Sequence, residues 1–325
     1  MAIPNRRAVI DVGTNSTKLL VGDVDGGRVV PVLETSRQTR LGEGFYETHH
    51  LQPEPISRTA MAIGELAAMA RELGVRSIRV VATSAAREAH NSEALLTAVQ
   101  QAAGLHVEVI SGAREADWAF HGVTSDPQLA GQPLLILDLG GGSTEFILGA
   151  GTVQHFRHSF PLGTVRLMEK IPHTDPPQPQ ELAACREWVR SFLRTEVEPC
   201  VLHSMVWEEH FSGDAPSTFV GTGGTATIVA RMELELDSYD RDKLESVRLS
   251  LSRMRWHTTH LWSLPLAARK QIKGLPENRA DIILTGVVIY EAIMETFKLT
   301  ELRVSTRGLR FAALRDNVGQ WQFMS

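Results

Sequence analysis

Two short segments carry the residue types best suited to bind a phosphate group, and these residues come in the same order twice. Residues 11–22 read DVGTNSTKLLVG and residues 138–149 read DLGGGSTEFILG, so the two segments align without a gap. Glycines let successive backbone N–H groups point into one concavity, which is a common way of holding phosphate oxygens. The glycines of the two turns are Gly13, Gly140, Gly141 and Gly142, and further donors are Asn15, Ser16, Thr17, Ser143 and Thr144. The repeat therefore predicts two phosphate-binding turns.

Each segment begins with an aspartate, Asp11 or Asp138, at the mouth of its turn. Mg²⁺ is commonly held by one or two carboxylates and is completed by water and phosphate oxygens, so these positions predict a sparse divalent-metal site. A third glycine turn, at residues 221–225 (GTGGT), lies between a predicted strand and a predicted helix. Because a helix N-terminus attracts anions, Gly223 is a further candidate for phosphate binding.

The elements around these turns are predicted to form an α/β protein with duplicated halves. Apolar runs before and after each aspartate segment predict a β-hairpin in each half. Helix–strand units follow both hairpins, with helices predicted at 53–73, 113–123, 179–201 and 279–297. A repeat at domain-sized spacing predicts two similar domains with ligands in a cleft between them. The predicted domains cover residues 1–125 and 126–307, with a C-terminal helix at about 308–325 that packs on the first domain.

Composition excludes several classes of protein. The 325 residues are 43% hydrophobic and 22% charged, with no apolar stretch long enough to cross a membrane and no signal-like leader. Two cysteines do not form a disulfide framework, which favours a cytoplasmic compartment. The net charge of −5 argues against nucleic-acid binding.

One stretch, residues 247–279, is nevertheless basic. It carries seven basic residues and one acid, Glu277. The sequence leaves two interpretations open, a solvated helical face or a positive surface that attracts a polyanion. The basic residues are Arg248, Arg253, Arg255, Arg269, Lys270, Lys273 and Arg279.

As a set, the motifs resemble the exopolyphosphatase/guanosine pentaphosphate phosphohydrolase (Ppx/GppA) family of the sugar kinase/Hsp70/actin superfamily. The resemblance implies two ribonuclease H-like (actin-like ATPase) domains flanking an interdomain cleft. The segments that carry it, in chain order, are DVGTNSTK (11–18), RLGEGF (40–45), ATSAAREAHN (82–91), ISGAREA (110–116), DLGGGSTEF (138–146), LGTVRLME (162–169), GTGGT (221–225), NRADIILTG (278–286) and VSTRGL (304–309).

The resemblance also implies roles for individual residues. Glu115 matches the family's catalytic glutamate, which activates the attacking water, and Arg87 matches an arginine that faces the phosphate. Asp138 and Glu145 match carboxylates of the metal and phosphate site. Considered without the family, Glu115 also fits a carboxylate that stabilises the first turn of a helix.

The function implied is that of an exopolyphosphatase, which uses Mg²⁺ (or Mn²⁺) and releases orthophosphate from the end of inorganic polyphosphate. The family also implies an alternative, hydrolysis of the 5′ γ-phosphate of guanosine pentaphosphate, and a regulatory protein that binds guanosine tetra- or pentaphosphate is a further one. A small-molecule kinase would share the glycine turns but needs an aspartate base. We expect no nucleic-acid or membrane partner, and the family implies a homodimer.

Overall fold

The computed structural model describes residues 5–202, 204 and 217–323. Contacts divide the chain into two compact units. The first unit contains residues 1–125 and 307–325, and the second contains residues 126–306. Each unit has one six-stranded sheet with helices packed on it, so the predicted α/β class is confirmed. The predicted cleft between the halves stays a prediction.

The first unit is built on a three-stranded antiparallel meander. Its strands, numbered along the chain, are β1 (Asn5–Val12), β2 (Thr17–Asp25), β3 (Arg28–Arg37), β4 (Ser77–Ala82), β5 (Val107–Val109) and β12 (Gln322–Phe323). Its helices are α1 (Pro53–Glu72), α2 (Ser84–Glu88), α3 (Ser92–Ala103), α4 (Gly112–Val123) and α12 (Leu309–Arg315). Strand β4 runs parallel to β1, and β5 runs parallel to β4. One face of the sheet packs on α1 and α3, and the other packs on α4 and α12.

The second unit repeats this plan. Its strands are β6 (Pro133–Leu139), β7 (Thr144–Ala150), β8 (Val153–Phe160), β9 (Thr218–Gly223), β10 (Arg248–Ser250) and β11 (Glu301–Val304). Its helices are α5 (Thr164–Lys170), α6 (Pro179–Phe192), α7 (Gly224–Glu233), α8 (Arg241–Ser246), α9 (Leu251–Trp262), α10 (Leu266–Arg269) and α11 (Ile283–Thr296), with a π-helical turn at Leu193–Val197 and a 3-10 turn at Glu277–Arg279.

The two sheets share one topology. In each, an antiparallel meander is extended by a parallel strand beside its first member, β4 beside β1 and β9 beside β6. A second parallel strand follows in each, β5 beside β4 and β11 beside β9. The duplication predicted from the repeated aspartate segments is therefore confirmed.

The C-terminal segment differs from its prediction. Instead of a helix over about 308–325, α12 ends at Arg315. The Asp316 carboxylate accepts a hydrogen bond from the Val318 N–H, and Gly319 has a φ of +116°, which a helix does not allow. The chain then extends into β12, which pairs with β4. Among the helices of the described residues, none combines the length and apolarity that crossing a membrane requires.

Candidate functional site

In the first unit, the segments with the predicted catalytic residues all leave the sheet at one edge. Val12, Ala82 and Val109 end three parallel strands at the same level, because Val12 pairs with Ala82 and Ala82 with Val109. The hairpin turn at 13–16, helix α2 and helix α4 follow these strands directly. The carboxyl ends of parallel strands are where α/β proteins place their ligands.

The turn at 13–16 has the open N–H groups that a phosphate site needs. The Gly13 N–H donates to the Ser16 carbonyl at 3.0 Å, which closes the hairpin. The carbonyls of Thr14 and Asn15 accept from the backbone of residues 40–42, at 2.8 and 3.0 Å. Within the described part of the chain, the N–H groups of Thr14 and Asn15 reach no acceptor. The carbonyls of Thr14 and Asn15 are thus occupied by hydrogen bonds, while their N–H groups are available to a phosphate oxygen.

Glu115 and Arg87 are brought together at this edge. Glu115 lies in the first turn of α4 and is 7% exposed. The Arg87 Nη1 atom, from the end of α2, lies 2.9 Å from Glu115 Oε2 and 3.2 Å from the Ile110 carbonyl. The N-terminal end of α4 and the Arg87 guanidinium both place positive charge beside this carboxylate. The buried Glu115 carboxylate and the Arg87 guanidinium thus form an ion pair at the same sheet edge as the turn at 13–16.

Asp11 lies on the face of the sheet that packs against α4. It lies two residues after Val9, which packs on Trp118 of that helix, and residues two apart on a strand face the same side. Its carboxylate is buried, and the Oδ1 atom has no hydrogen-bond partner in the part of the chain that the structure describes. Burial raises the pKa of Asp11, and the charges of Lys18 and Arg310 partly oppose this. A buried carboxylate oxygen without a donor is a fitting position for a cation.

The turn of the second unit repeats these features. The Gly140 N–H donates to the Ser143 carbonyl at 3.0 Å, as in the first turn. The carbonyls of Gly140 and Gly141 accept from backbone N–H groups of residues 164–166, at 2.9–3.1 Å. Among the described residues, the N–H groups of Gly141, Gly142 and Ser143 reach no acceptor. Both turns therefore have their carbonyls fixed by the segment that follows the third strand.

Gly163 allows this close approach, which leads to a prediction. A Cβ at position 163 would overlap the Gly141 carbonyl and the Gly142 nitrogen, and backbone atoms cannot move aside as a side-chain tip can. We expect Gly163→Ala to lower the free energy of unfolding by about 1–3 kcal/mol and to remove phosphate binding, measured by thermal unfolding with and without inorganic phosphate. Gly64→Ala is the control, because its Cβ would lie an ordinary 3.4 Å from the Ala102 carbonyl. Equal effects of the two substitutions would contradict the prediction.

Two carboxylates face each other across the second hairpin. Asp138 on β6 pairs directly with Glu145 on β7, so the two side chains lie on one face of the sheet. Glu145 is 1% exposed, and its Oε1 atom accepts from the Ser143 and Ser159 hydroxyls at 2.9 and 2.6 Å. Glu145 therefore also orients Ser143. The Asp138 position in this pair corresponds to that of Asp11 in the first unit, where the opposing residue is Lys18.

The third glycine turn adjoins Asp138. Gly223 ends β9 with a φ of +92°, and a Cβ there would lie 2.9 Å from Asp138 Oδ1. Tyr290 supports this turn by donating its hydroxyl to the Thr222 carbonyl at 3.3 Å. Burial raises the pKa of Tyr290 and the Asp138 charge adds to it, so the phenol stays a donor. The structure thus places Gly223, a candidate for phosphate binding, next to Asp138, a candidate metal ligand.

The residues present fit a sparse divalent-metal site. No group of three or more His, Cys, Asp or Glu suited to a metal occurs in residues 5–202, 204 and 217–323. Mg²⁺ needs few protein ligands, because water and substrate phosphates complete its coordination. In the first unit, the Asp11 Oδ1 atom, which has no hydrogen-bond partner among the described residues, suits such an ion. In the second unit, the opposed carboxylates of Asp138 and Glu145 suit one as well.

Two predicted phosphate ligands have another role. Thr17 and Thr144 are fully buried at the base of their hairpins. The Thr17 hydroxyl pairs with that of Thr39 at 3.1 Å, and the Thr144 hydroxyl donates to the Leu162 carbonyl. Their side chains tie each hairpin to the segment after the third strand. Phosphate binding by Thr17 and Thr144 stays a prediction.

The basic stretch is largely neutralised by acids from elsewhere in the chain. Arg253 pairs with Glu233 at 2.9 Å, and Arg255 pairs with Glu295 at 2.8 Å. Arg269 is buried rather than on the surface. These contacts favour a paired helical surface over an open positive one.

The comparisons with known proteins agree with this geometry. Residues 20–319 match the model of the Ppx/GppA phosphatase family. The chain belongs to the Ppx/GppA phosphatase family. Exopolyphosphatase 2 of Mycobacterium tuberculosis is 33% identical over 297 residues, which cover 89% of both chains. As a member of the Ppx/GppA family, the protein is a phosphatase that acts on phosphate-containing substrates.

Solved Ppx/GppA structures share its fold. An exopolyphosphatase-like protein is 28% identical with a TM-score of 0.85, and 96% of this chain and 97% of that chain are covered. The Aquifex aeolicus family member is 30% identical with a TM-score of 0.73 and coverage of 95% and 96%. The predicted actin-like fold of two ribonuclease H-like domains is therefore confirmed.

Proposed function

We propose that this phosphatase is an exopolyphosphatase, which hydrolyses the terminal phosphoanhydride of inorganic polyphosphate with a divalent metal and releases orthophosphate. The observation that carries the proposal is the ion pair between the buried Glu115 and the half-buried Arg87. It lies at the sheet edge where the N–H groups of Thr14 and Asn15 reach no acceptor among the described residues. The name of the M. tuberculosis relative supports the choice of polyphosphate.

In this proposal Glu115 accepts a proton from the attacking water. The water oxygen forms a bond to the terminal phosphorus, and the bond from that phosphorus to the bridging oxygen breaks. Orthophosphate leaves, and the shortened chain keeps the bridging oxygen. A positioned carboxylate base commonly contributes about 10²- to 10⁴-fold to such a rate.

In this proposal, hydrogen-bond donors that are already in place stabilise the negative charge on the transferred phosphoryl group. Phosphoryl transfer spreads negative charge over the equatorial oxygens, and preorganised donors stabilise it without reorganising. In the proposal, the N–H groups of the turn at 13–16 and the Arg87 guanidinium, all in the first unit, supply these donors. Asp11 in the first unit, and Asp138 with Glu145 in the second unit, would each offer carboxylate ligands to Mg²⁺ or Mn²⁺. When bound, the metal would neutralise phosphate charge.

The test is orthophosphate release from long-chain polyphosphate, tripolyphosphate, guanosine pentaphosphate and ATP, each with Mg²⁺, Mn²⁺ or a chelator. We expect fastest release from polyphosphate and loss of release with the chelator. Faster orthophosphate release from guanosine pentaphosphate would show that this nucleotide, and not polyphosphate, is the preferred substrate. The proposed active-site residues would be unaffected. Tight binding of guanosine tetraphosphate without release from any substrate would contradict the enzyme and favour a regulatory protein.

A further inference from the structure

We propose that Arg166 is a positioning residue that fixes the second glycine turn in its phosphate-binding conformation. It does so through a hydrogen bond from Nε to the Gly142 carbonyl, at 2.7 Å. This inference rests on the proposed function, since it takes the turn at 140–143 as part of the substrate site.

Of the three successive glycines Gly140, Gly141 and Gly142, the last has a carbonyl that accepts its hydrogen bond from a side chain. The carbonyls of the first two, Gly140 and Gly141, accept from backbone N–H groups of residues 164–166. The next N–H along α5, that of Leu167, already donates to the Gly163 carbonyl at 2.8 Å. The backbone of α5 therefore offers no free donor in its first turn for Gly142, and Arg166 supplies one from its side chain.

The direction of this carbonyl decides what a phosphate meets. The Gly142 carbonyl and the Ser143 N–H belong to one peptide group, so they point in opposite directions. Because Arg166 holds the carbonyl, the Ser143 N–H is turned the other way, and it reaches no acceptor among the described residues. Glycine permits a wide range of backbone angles, so without this bond the peptide can rotate its oxygen toward the anion.

Arg166 acts from an anchored helix. The Thr285 hydroxyl, at the start of α11, donates to the Thr164 carbonyl at 2.8 Å. The side chain of Arg166 is itself half-buried. Because α5 is fixed in place and the Arg166 side chain is half-buried, the hydrogen bond to Gly142 forms with little further loss of side-chain conformational entropy.

The chain length of glutamine gives a sharp test. The Nε2 atom of glutamine is separated from Cα by the same number of bonds as the Nε atom of arginine. Arg166→Gln therefore keeps a donor for Gly142 and removes the charge. Arg166→Lys keeps the charge but places a methylene at the position of Nε. Arg166→Ala removes both, and Arg194→Ala is the control, because Arg194 is exposed and meets Glu187 only at 3.7 Å.

Two measurements are made on each full-length variant. The first is calorimetric binding of inorganic orthophosphate with Mg²⁺, which needs no turnover. The second is kcat and KM for tripolyphosphate. We expect the alanine and lysine variants to bind orthophosphate about 10- to 100-fold more weakly and to raise KM by a similar factor. The glutamine variant should stay within about threefold of the unaltered protein, because it keeps a donor for the Gly142 carbonyl.

The outcomes separate this inference from the proposed function. Rescue by lysine but not by glutamine would overturn the positioning role, because charge alone would then suffice. Unchanged binding in the alanine variant, or no orthophosphate binding by the unaltered protein, would also overturn it. If the unaltered protein binds orthophosphate but hydrolyses no substrate, the proposed function fails, and the binding series still decides the role of Arg166.

Discussion

Replacement of Glu115 by glutamine is expected to lower kcat for orthophosphate release by about 10²- to 10⁴-fold, with KM little changed. Glutamine has nearly the same shape but cannot accept the proton of the attacking water. It keeps an oxygen that can accept from Arg87, which lies 2.9 Å from the Glu115 carboxylate. The measurement is steady-state release from tripolyphosphate together with thermal unfolding of both proteins.

Asp117→Asn is the matched control for this substitution. It removes one carboxylate from the same helix, and Asp117 is far more exposed than Glu115. We expect the control to keep nearly full kcat. A Glu115→Gln protein with undiminished kcat and normal unfolding would leave the phosphatase in place and exclude Glu115 as the base. A large fall in the unfolding temperature would instead assign Glu115 a structural role.

The two hairpins and the duplication could be predicted because the sequence repeats its strongest local pattern. An aspartate, a glycine turn and a flanking apolar run form a hairpin from nearby residues alone, and the second copy shows that the hairpin belongs to a duplicated domain. The long helices α1 and α4 were predictable for a similar reason, since their apolar residues recur at helical spacing. Short-range information was sufficient for these elements.

Helix α5 could not be predicted in this way. It has seven residues, too few to establish a period, and its first turn is held by the carbonyls of Gly140 and Gly141. Those partners lie more than twenty residues away along the chain. The role of Arg166 depends on the same distant contact. Only the approach of Gly163 to the glycine turn, which the fold creates, shows that these segments meet.

Side-chain partners explain the other differences. Thr17 and Thr144 have the right chemistry for phosphate, but each hydroxyl is bonded to a segment beyond the third strand. The basic stretch contains only one acid of its own. The partner of Arg253 is Glu233 from α7, and the partner of Arg255 is Glu295 from α11. Counting charges along the chain therefore overstates the positive surface.

The C-terminal segment encloses a buried cation, and this carries the second prediction. Arg79 in β4 has a fully buried side chain, lies 3.2 Å from Glu108, and is flanked by the rings of Trp118 and Trp321 at 5.1 and 5.2 Å. The Val318 carbonyl also accepts from its guanidinium. A buried charge is tolerated only while its partners stay in place.

Gly319 is the position at which this enclosure is tightest. It adopts a φ of +116°, and a Cβ there would overlap the Arg79 guanidinium. We expect Gly319→Ala to displace the C-terminal segment and lower the free energy of unfolding of the first unit by about 3–5 kcal/mol. Urea unfolding measures this change. Orthophosphate binding by the folded protein should persist at low temperature.

Gly104→Ala, in the same unit, separates the enclosure of Arg79 from backbone strain. Gly104 also has a positive φ, +65°, but a Cβ there meets nothing within 4 Å. Its substitution should cost only the strain of the left-handed region, about 1–2 kcal/mol. If both alanine variants lost the same stability, the cost at Gly319 would be backbone strain alone. A larger loss at Gly319 would mean that the first unit depends on the last residues of the chain to keep a charge inside its sheet, although those residues follow the entire second unit in sequence.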